Sequence, residues 1–284
     1  MLNEIVVISG KGGTGKTTLT SSLIPYIEDK VIADCDVDAP DLYILTSPEI
    51  KEIIDFVGTK KAVIDYDRCT YCGLCYQNCR FGAISEDIRI NIAKCEGCGV
   101  CAYVCPTDAI SMKDIVVGNI FISETKWGPM VHARLIPGEE TSGKLVSEVR
   151  LRAKKIANEL GKSNLIVDGT PGVACNVISS ITGAGKVIIV TEPTNSGLHD
   201  LKRVYELVKS FKIKTFFVIN KYDLNIEMTE KIEAYLKSEG EEFSLKIPFN
   251  KEVVNAIVER QIPSLVLKDF FEDIGFFKFI EKLF

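Results

Sequence analysis

The chain has 284 residues, 46% of them hydrophobic, and a formal net charge of -5. That much apolar material permits a sizeable core in one domain or two. The acidic balance, with lysines and arginines spread along the chain, gives no electrostatic ground for a nucleic-acid partner. No apolar run approaches the roughly 20 residues of a membrane span, and the opening MLNEIVVISG shows no basic region followed by an apolar one, so a soluble, cytoplasmic protein is expected.

Glu4-Ile5-Val6-Val7-Ile8 reads as a buried strand running into Gly10-Lys11-Gly12-Gly13-Thr14-Gly15-Lys16-Thr17, after which Thr18-Leu19 opens a helical stretch. This is G-x4-G-K-[ST] in the strand, loop, helix setting it requires. The glycines let backbone N–H groups close around phosphate at a helix N-terminus, Lys16 brings a point charge to the outer phosphates, and the Thr17 hydroxyl is a ligand for Mg2+. Gly10, Lys11, Gly12, Gly13, Thr14, Gly15, Lys16, Thr17 and Thr18 are therefore the expected nucleotide-binding stretch. Val31-Ile32-Ala33-Asp34-Cys35-Asp36 is a short apolar strand ending in carboxylates.

From Ala62 to Lys113 the chain changes character. Cys69, Cys72, Cys75 and Cys79, then Cys95, Cys98, Cys101 and Cys105, spell C-x2-C-x2-C-x3-C twice. This is the bacterial ferredoxin spacing, in which three thiolates hold one 4Fe-4S cube and the fourth reaches to the other. Crossed ligation is expected: Cys69, Cys72, Cys75 and Cys105 on one cluster, Cys95, Cys98, Cys101 and Cys79 on the other. Pro106 follows the second run as the pattern asks, whereas Arg80 stands after the first. Zinc would use C-x2-C pairs but has no need of the third and fourth cysteines at this spacing. Structural disulfides would need an oxidising compartment. About fifty residues bury little core, so this insert is expected to depend on its clusters to fold.

Ile115 to Ile136 alternates like a hairpin around Lys126-Trp127-Gly128-Pro129, and Ser142-Gly143-Lys144 after Glu139-Glu140-Thr141 reads as a helix start with acidic residues favourable to its dipole. Leu165-Ile166-Val167-Asp168 is another apolar strand, followed by Gly169-Thr170-Pro171-Gly172. An Asp there either caps a helix or, behind a phosphate loop, serves the metal. Phe216-Phe217-Val218-Ile219 ends in Asn220-Lys221-Tyr222-Asp223, an N-K-x-D quartet, and Lys246-Ile247-Pro248-Phe249-Asn250 closes a last strand. His132 and His199 receive no role. Alternating strand and helix patterns at residues 4 to 45 and 142 to 265 predict an α/β fold with a mostly parallel sheet flanked by helices. The expected organisation is one discontinuous P-loop domain, residues 1–61 and 114–284, interrupted by a ferredoxin-like domain at 62–113.

Lys11, directly after the first glycine, marks a deviant Walker A loop. On these motifs the chain resembles the MinD, Mrp and nitrogenase iron protein superfamily, and more narrowly the MinD-type ATPases with an inserted two-cluster ferredoxin domain. The resemblance implies an ATP-bound homodimer in which Lys11 reaches the partner's phosphates. It puts Asp36 in switch I near the attacking water and Mg2+, with Asp38 as the neighbouring alternative, and Asp168 in switch II on a Mg2+ water. The implied catalytic set is Lys11, Lys16 and Asp36, and the implied Mg2+ set is Thr17, Asp36 and Asp168. Asn220 would contact adenine and Pro248 would lie beside the base. GTP stays open, because in GTPases the Asp of N-K-x-D, here Asp223, reads guanine. Cys175 falls seven residues after Asp168, the offset of a cluster-ligating cysteine in the nitrogenase iron protein, but the intervening glycine is displaced by one place and a lone buried thiol is the commoner fate.

Phe270, Phe271, Phe276, Phe277, Phe279 and Phe284 resemble the membrane-targeting helix of MinD. Here acidic residues outnumber basic ones around them, so a helix docked on the core and no stable membrane anchor are expected. The expected function is an ATPase, using ATP with Mg2+, that couples a dimer cycle to electron transfer through two 4Fe-4S clusters and serves a redox or iron-sulfur client protein. The alternative is an ATP-dependent assembly factor carrying clusters or metallocofactor precursors. A spatial positioner leaves the insert unexplained, and an amidating ligase lacks a visible glutaminase segment.

Overall fold

The computed structural model describes residues 2–136 and 143–284. The strands are β1 (Asn3–Ser9), β2 (Lys30–Asp34), β3 (Glu49–Val57), β4 (Lys61–Ile64), β5 (Ile110–Lys113), β6 (Val116–Thr125), β7 (Gly128–Leu135), β8 (Asn164–Pro171), β9 (Lys186–Thr191), β10 (Lys214–Asn220) and β11 (Leu245–Ile247). Nine of them form one sheet in the order β11-β10-β9-β1-β8-β2-β7-β6-β3, and β4 pairs with β5 separately. From β11 through to β7 every described ladder is parallel. Parallel neighbours need long crossovers, supplied here by helices Lys16–Leu23 between β1 and β2, Gly143–Glu159 before β8, Cys175–Ile181, Asn195–Ser210 and Ile226–Ser238. The near-continuous Val, Ile and Leu runs of β1, β8 and β9 are buried along almost their whole length, as strands covered on both faces must be.

Two compact units divide the chain. One is made of the described residues of Met1–Ile53, Ile120–Arg134 and Thr141–Phe284, the other of those of Ile54–Asn119 and Leu135–Glu140. The second is therefore wider than the 62–113 expected from the cysteines. β3 accounts for part of the difference: its outer residues are exposed and charged, so it carries no apolar run by which a strand is recognised. The hairpin predicted at 115 to 136 is β6 and β7, turning at Lys126 and Trp127. The helix start read at Glu139, Glu140, Thr141 and Ser142 lies outside the described residues.

In the larger unit the core gathers Ile5, Val7, Leu19, Leu23, Phe216, Phe276 and Phe279 into one cluster. Phe276 and Phe279 are no more than 1% exposed, and Tyr26 meets Phe276 and Phe277 edge-on, so these C-terminal aromatics pack on the core, whereas Phe284 is exposed. Among the described residues no helix is long and apolar enough to cross a membrane. Across the sheet, the buried Arg150 guanidinium donates to Glu4 Oε1 at 2.6 Å and to the carbonyls of Ser179 and Thr182 at 2.7 and 3.0 Å. Lys154 holds the other Glu4 oxygen at 2.7 Å. That network joins β1 to two helices and leaves no charge in it unpaired.

His132, on β7, is stacked between Tyr43 and Phe121, with ring centroids 6.1 and 5.0 Å away, and shares a hydrogen bond with Ser123 Oγ at 3.2 Å. Burial, helped by the Arg134 charge, lowers its pKa to about 4. The folded state thus binds fewer protons than the unfolded chain between its ordinary value near 6.5 and about 4. Stability from this group is complete above the upper value and drains as pH falls through that window, by about 3 kcal/mol in all. Urea unfolding at several pH values should show a shallower acid loss for His132→Phe, which stacks but cannot titrate; equal slopes for the two proteins would refute the assignment.

Candidate functional site

Because β1, β2 and β8 are parallel neighbours, their carboxyl ends open on one edge of the sheet, the usual place for a ligand in such folds. The register sets Val7 opposite Asp168 and Asp168 opposite Asp34. The Gly10 to Thr17 loop leaves β1 at this edge and feeds helix Lys16–Leu23. Two of its glycines are forced. A Cβ on Gly10 would sit 2.6 Å from the backbone of Asp200, and Gly15 has φ +94° with the Asn220 amide against it.

Lys16 is 6% exposed, and its ammonium lies 3.0 Å from Asp168 Oδ1 and 3.3 Å from Asp36 Oδ2. Burial alone would depress its pKa, but Asp168, Asp36 and Asp34 outweigh burial and hold it above the ordinary lysine value. The Thr17 hydroxyl donates to Asp168 Oδ2 at 2.6 Å and Thr20 to Asp168 Oδ1 at 2.8 Å. Asp34 is fully buried; its Oδ1 accepts from the Asp36 N–H and its Oδ2 has no hydrogen-bond partner. Burial first, then the Asp168 charge, pushes Asp34 well above the usual carboxylate range, and burial also raises Asp36. The predicted residues Lys16, Thr17, Asp36 and Asp168 thus converge.

Asp34 and Thr20 complete the set and were not singled out by sequence. The signal for Asp34 was present, since it closes the apolar run of β2 two residues before Asp36. Asp38 shows no contact with Lys16; burial alone raises its pKa.

Lys11 points elsewhere. Its ammonium meets Glu192 Oε1 at 2.7 Å, Ser196 Oγ at 2.9 Å and Thr194 Oγ1 at 3.2 Å. Glu192 also takes Lys221 at 3.2 Å, and Lys221 donates in turn to the Gly13 carbonyl at 3.1 Å. Burial would raise Glu192, but the two lysines hold it below the ordinary range. Beside the loop lies a cavity of about 230 Å3 whose lining includes Gly13, Gly15, Thr18, Asn220, Pro248 and Phe249. Asn220 donates to the Thr14 carbonyl at 2.8 Å. Asp223 does not line this cavity: its Oδ1 accepts the Phe249 N–H at 2.6 Å.

In the smaller unit two separate cavities are each lined by four cysteines. One holds Cys79, Cys95, Cys98 and Cys101, the other Cys69, Cys72, Cys75 and Cys105. A backbone N–H is aimed at a sulfur in each, Ala83 to Cys79 and Ala109 to Cys105, both at 3.3 Å. Burial raises the thiols of Cys75 and Cys101, whereas at Cys105 the backbone donors, Thr107 first, outweigh burial and lower it. Among the described residues no group of three or more His, Cys, Asp or Glu side chains is arranged around a single metal ion. Cys35 is buried and Cys175 is exposed at the start of helix Cys175–Ile181.

Residues 5–263 match the family model of the CobQ/CobB/MinD/ParA nucleotide binding domain. Two uncharacterized proteins of Methanocaldococcus jannaschii are similar to the chain. One is 35% identical over 79% of this chain and 80% of its own length, the other 31% identical over 88% and 87%. Among solved structures, the septum site-determining protein MinD complexed with Mg-ADP from Pyrococcus horikoshii has the same fold, with a TM-score of 0.53 and 16% identity over 100% of this chain and 95% of that one. With the phosphate loop and the carboxylates of β2 and β8 on one sheet edge, the chain belongs to the CobQ/CobB/MinD/ParA family and is a P-loop ATPase of the MinD/ParA type.

Proposed function

We propose that this ATPase couples its nucleotide cycle to one-electron chemistry at two 4Fe-4S clusters in an inserted ferredoxin-like domain. The observation that carries the reading is the pair of four-cysteine cavities, whose membership is the crossed set that the ferredoxin spacing requires. Cys69, Cys72, Cys75 and Cys105 hold one cluster; Cys95, Cys98, Cys101 and Cys79 hold the other. The donor sets fit: four thiols line each cavity, and each has a backbone N–H directed at a sulfur. When bound, the clusters supply one-electron storage, received from a low-potential protein donor and passed to a redox client.

The nucleotide is ATP with Mg2+, a reading supported by the family and by the Mg-ADP in the Pyrococcus horikoshii relative. Asp223 is engaged with Phe249 outside the cavity beside the loop, which favours adenine beside Asn220 and Pro248 over guanine. Lys16 would exchange Asp36 and Asp168 for the outer phosphates, and Thr17, Asp36 and Asp168 would hold Mg2+, which would offset the negative charge of those phosphates. Asp36 orients a water whose oxygen bonds to the γ-phosphorus as the bond to the ADP oxygen breaks, giving ADP, phosphate and a proton. In a homodimer closed on ATP, Lys11 leaves Glu192 for the partner's phosphates.

Anoxically purified protein should contain about eight irons and eight sulfides per chain. Cys105→Ala should damage the same cluster as Cys72→Ala; zinc with little sulfide would rule the clusters out.

Lys16→Ala leaves Asp34, Asp36 and Asp168 facing one another with no cation. ATP affinity by calorimetry should fall at least about a hundredfold, or roughly 2.7 kcal/mol, whereas undiminished affinity and turnover would remove the loop from the site.

If nucleotide and cluster states are linked, midpoint potentials measured without nucleotide, with ADP and with a non-hydrolysable ATP analogue should differ. Coupling of about 1–3 kcal/mol is usual, and Lys11→Ala should abolish it. Identical potentials in the three states would leave the clusters uncoupled, and transfer of iron to an apo-protein without any redox partner would favour a carrier instead.

A further inference from the structure

The cysteine-rich unit uses one backbone path twice. After the second cysteine of each run, Gly73 and Gly99 take φ +79° and +78°. After the fourth, the chain turns alike at Gly82 and Asp108, with φ +60° and +50°, and their N–H groups donate to the carbonyls of Cys79 and Cys105, both at 3.3 Å. Ile84 and Ile110, each five residues past its cysteine, then pair antiparallel with Ile90 and Ile64. At these points the main chain treats the two cavities alike.

The side chains do not. Four residues past each fourth cysteine a backbone N–H meets its sulfur at 3.3 Å, Ala83 to Cys79 and Ala109 to Cys105. Two residues past it the halves part, for Phe81 lines one cavity and Thr107 the other. The Thr107 hydroxyl lies 3.7 Å from Cys105 Sγ, in hydrogen-bonding contact, whereas a phenyl ring has no such proton to give. Burial pushes the Cys105 thiol up, but the donors around it, the Thr107 hydroxyl among them, outweigh burial and hold it below its ordinary value. At the other cavity Lys61 donates to the Cys95 carbonyl at 2.8 Å and makes a further interaction, so it is no lone charge there.

We infer that the Thr107 hydroxyl raises the reduction potential of the cluster held by Cys69, Cys72, Cys75 and Cys105, a device that the other cluster, with Phe81 in the matching place, lacks. The inference rests on the two-cluster reading of the proposed function. A cysteine sulfur bound to iron is a thiolate without a proton, so the hydroxyl is the donor in that contact. Reduction takes one electron from the low-potential donor and adds one negative charge, part of it on the sulfurs. A donor already fixed at a sulfur stabilises the reduced cluster more than the oxidised one, and cluster potentials follow hydrogen bonds to the sulfurs. Thr107 acts through Cys105 and is a positioning residue, touching no substrate.

The test is an anoxic, EPR-monitored titration of the protein with dithionite, preceded by iron and sulfide analysis. A wild type lacking about eight of each overturns the cluster reading itself, and this inference with it, before any potential is read. With both clusters present, Cys72→Ser and Cys98→Ser assign one signal to each. Thr107→Val keeps the shape and loses the donor. The cluster that includes Cys72 should then show a ratio of reduced to oxidised form about threefold lower at a fixed ambient potential, a fall of about 28 mV at 59 mV per tenfold, while the other potential stays put. Thr107→Ser, which loses the methyl and keeps the hydroxyl, should behave as wild type, an outcome a purely packing role would not give. The inference is overturned if Thr107→Val leaves that potential unmoved or shifts both clusters equally. Should Thr107→Val lose its cluster, Phe81→Thr takes its place: a hydroxyl at the matching position should raise the potential of the cluster that includes Cys98, and no rise would overturn the inference.

Discussion

A buried ammonium among three carboxylates governs this molecule. Lys16 could not be held in a site 6% exposed without partners, because an unpaired buried charge costs several kcal/mol. Asp34, Asp36 and Asp168 supply the partners, but they arrive from two strands, β2 and β8. The sheet order that places β8 between β1 and β2 is what brings the loop lysine and these carboxylates together. Three acids face one base, and burial first, with the Asp168 charge added to it, pushes Asp34 and Asp36 upward. A second cation accompanying a polyanion relieves both sides at once: the polyanion takes the lysine and the cation takes the acids. Magnesium with a polyphosphate is that combination.

The smaller unit rests on a different constraint. Its buried cluster contains Ala62, Ile64, Ala83, Ile84, Ile88 and Ile110 together with Cys75 and Cys95, and four further cysteines pack against it. Among the described residues no aromatic side chain belongs to this cluster, whereas the larger unit gathers Phe216, Phe271, Phe276 and Phe279 into its own. So few apolar groups offset little of the ordering entropy of the chain. The thiols pack there as small hydrophobes; were they to take metal as proposed, folding and metal loading would become one equilibrium.

How much of this was legible depended on sequence distance. The phosphate loop was readable because its chemistry sits within eight consecutive residues, and β1, β8, β9 and β10 were readable because two-sided burial writes itself as unbroken apolar runs. The two groups of four cysteines that line the cavities are the groups expected from the spacing. β3 was not readable, since Glu49, Lys51 and Glu52 give it the look of a surface loop. Asp34 was passed over because Asp36 satisfied the motif, though Asp34 ends β2 only two residues before it. The partners of Lys11 and Asp223 could not be read at all, for Glu192 and Phe249 lie far along the chain from them and are brought near only by the sheet. Nothing local distinguishes Lys61 from any surface lysine either, yet the fold buries it.

The contact between Lys11 and Glu192 shows how such long-range partners can be temporary. Lys16 and its acids are nearly sealed from water, whereas the Lys11 and Glu192 side chains keep 27% and 15% of their exposure. Ion pairs open to solvent contribute about 1 kcal/mol or less, so the Lys11 contact is far cheaper to break than the Lys16 set. Glu192 is also not stranded when Lys11 departs, because Lys221 holds its second oxygen at 3.2 Å. Thr194 and Ser196 keep each other, their hydroxyls 3.2 Å apart. Loss of the Lys11 contact would thus leave no orphaned charge behind, whereas Lys16 is held by two carboxylates at once.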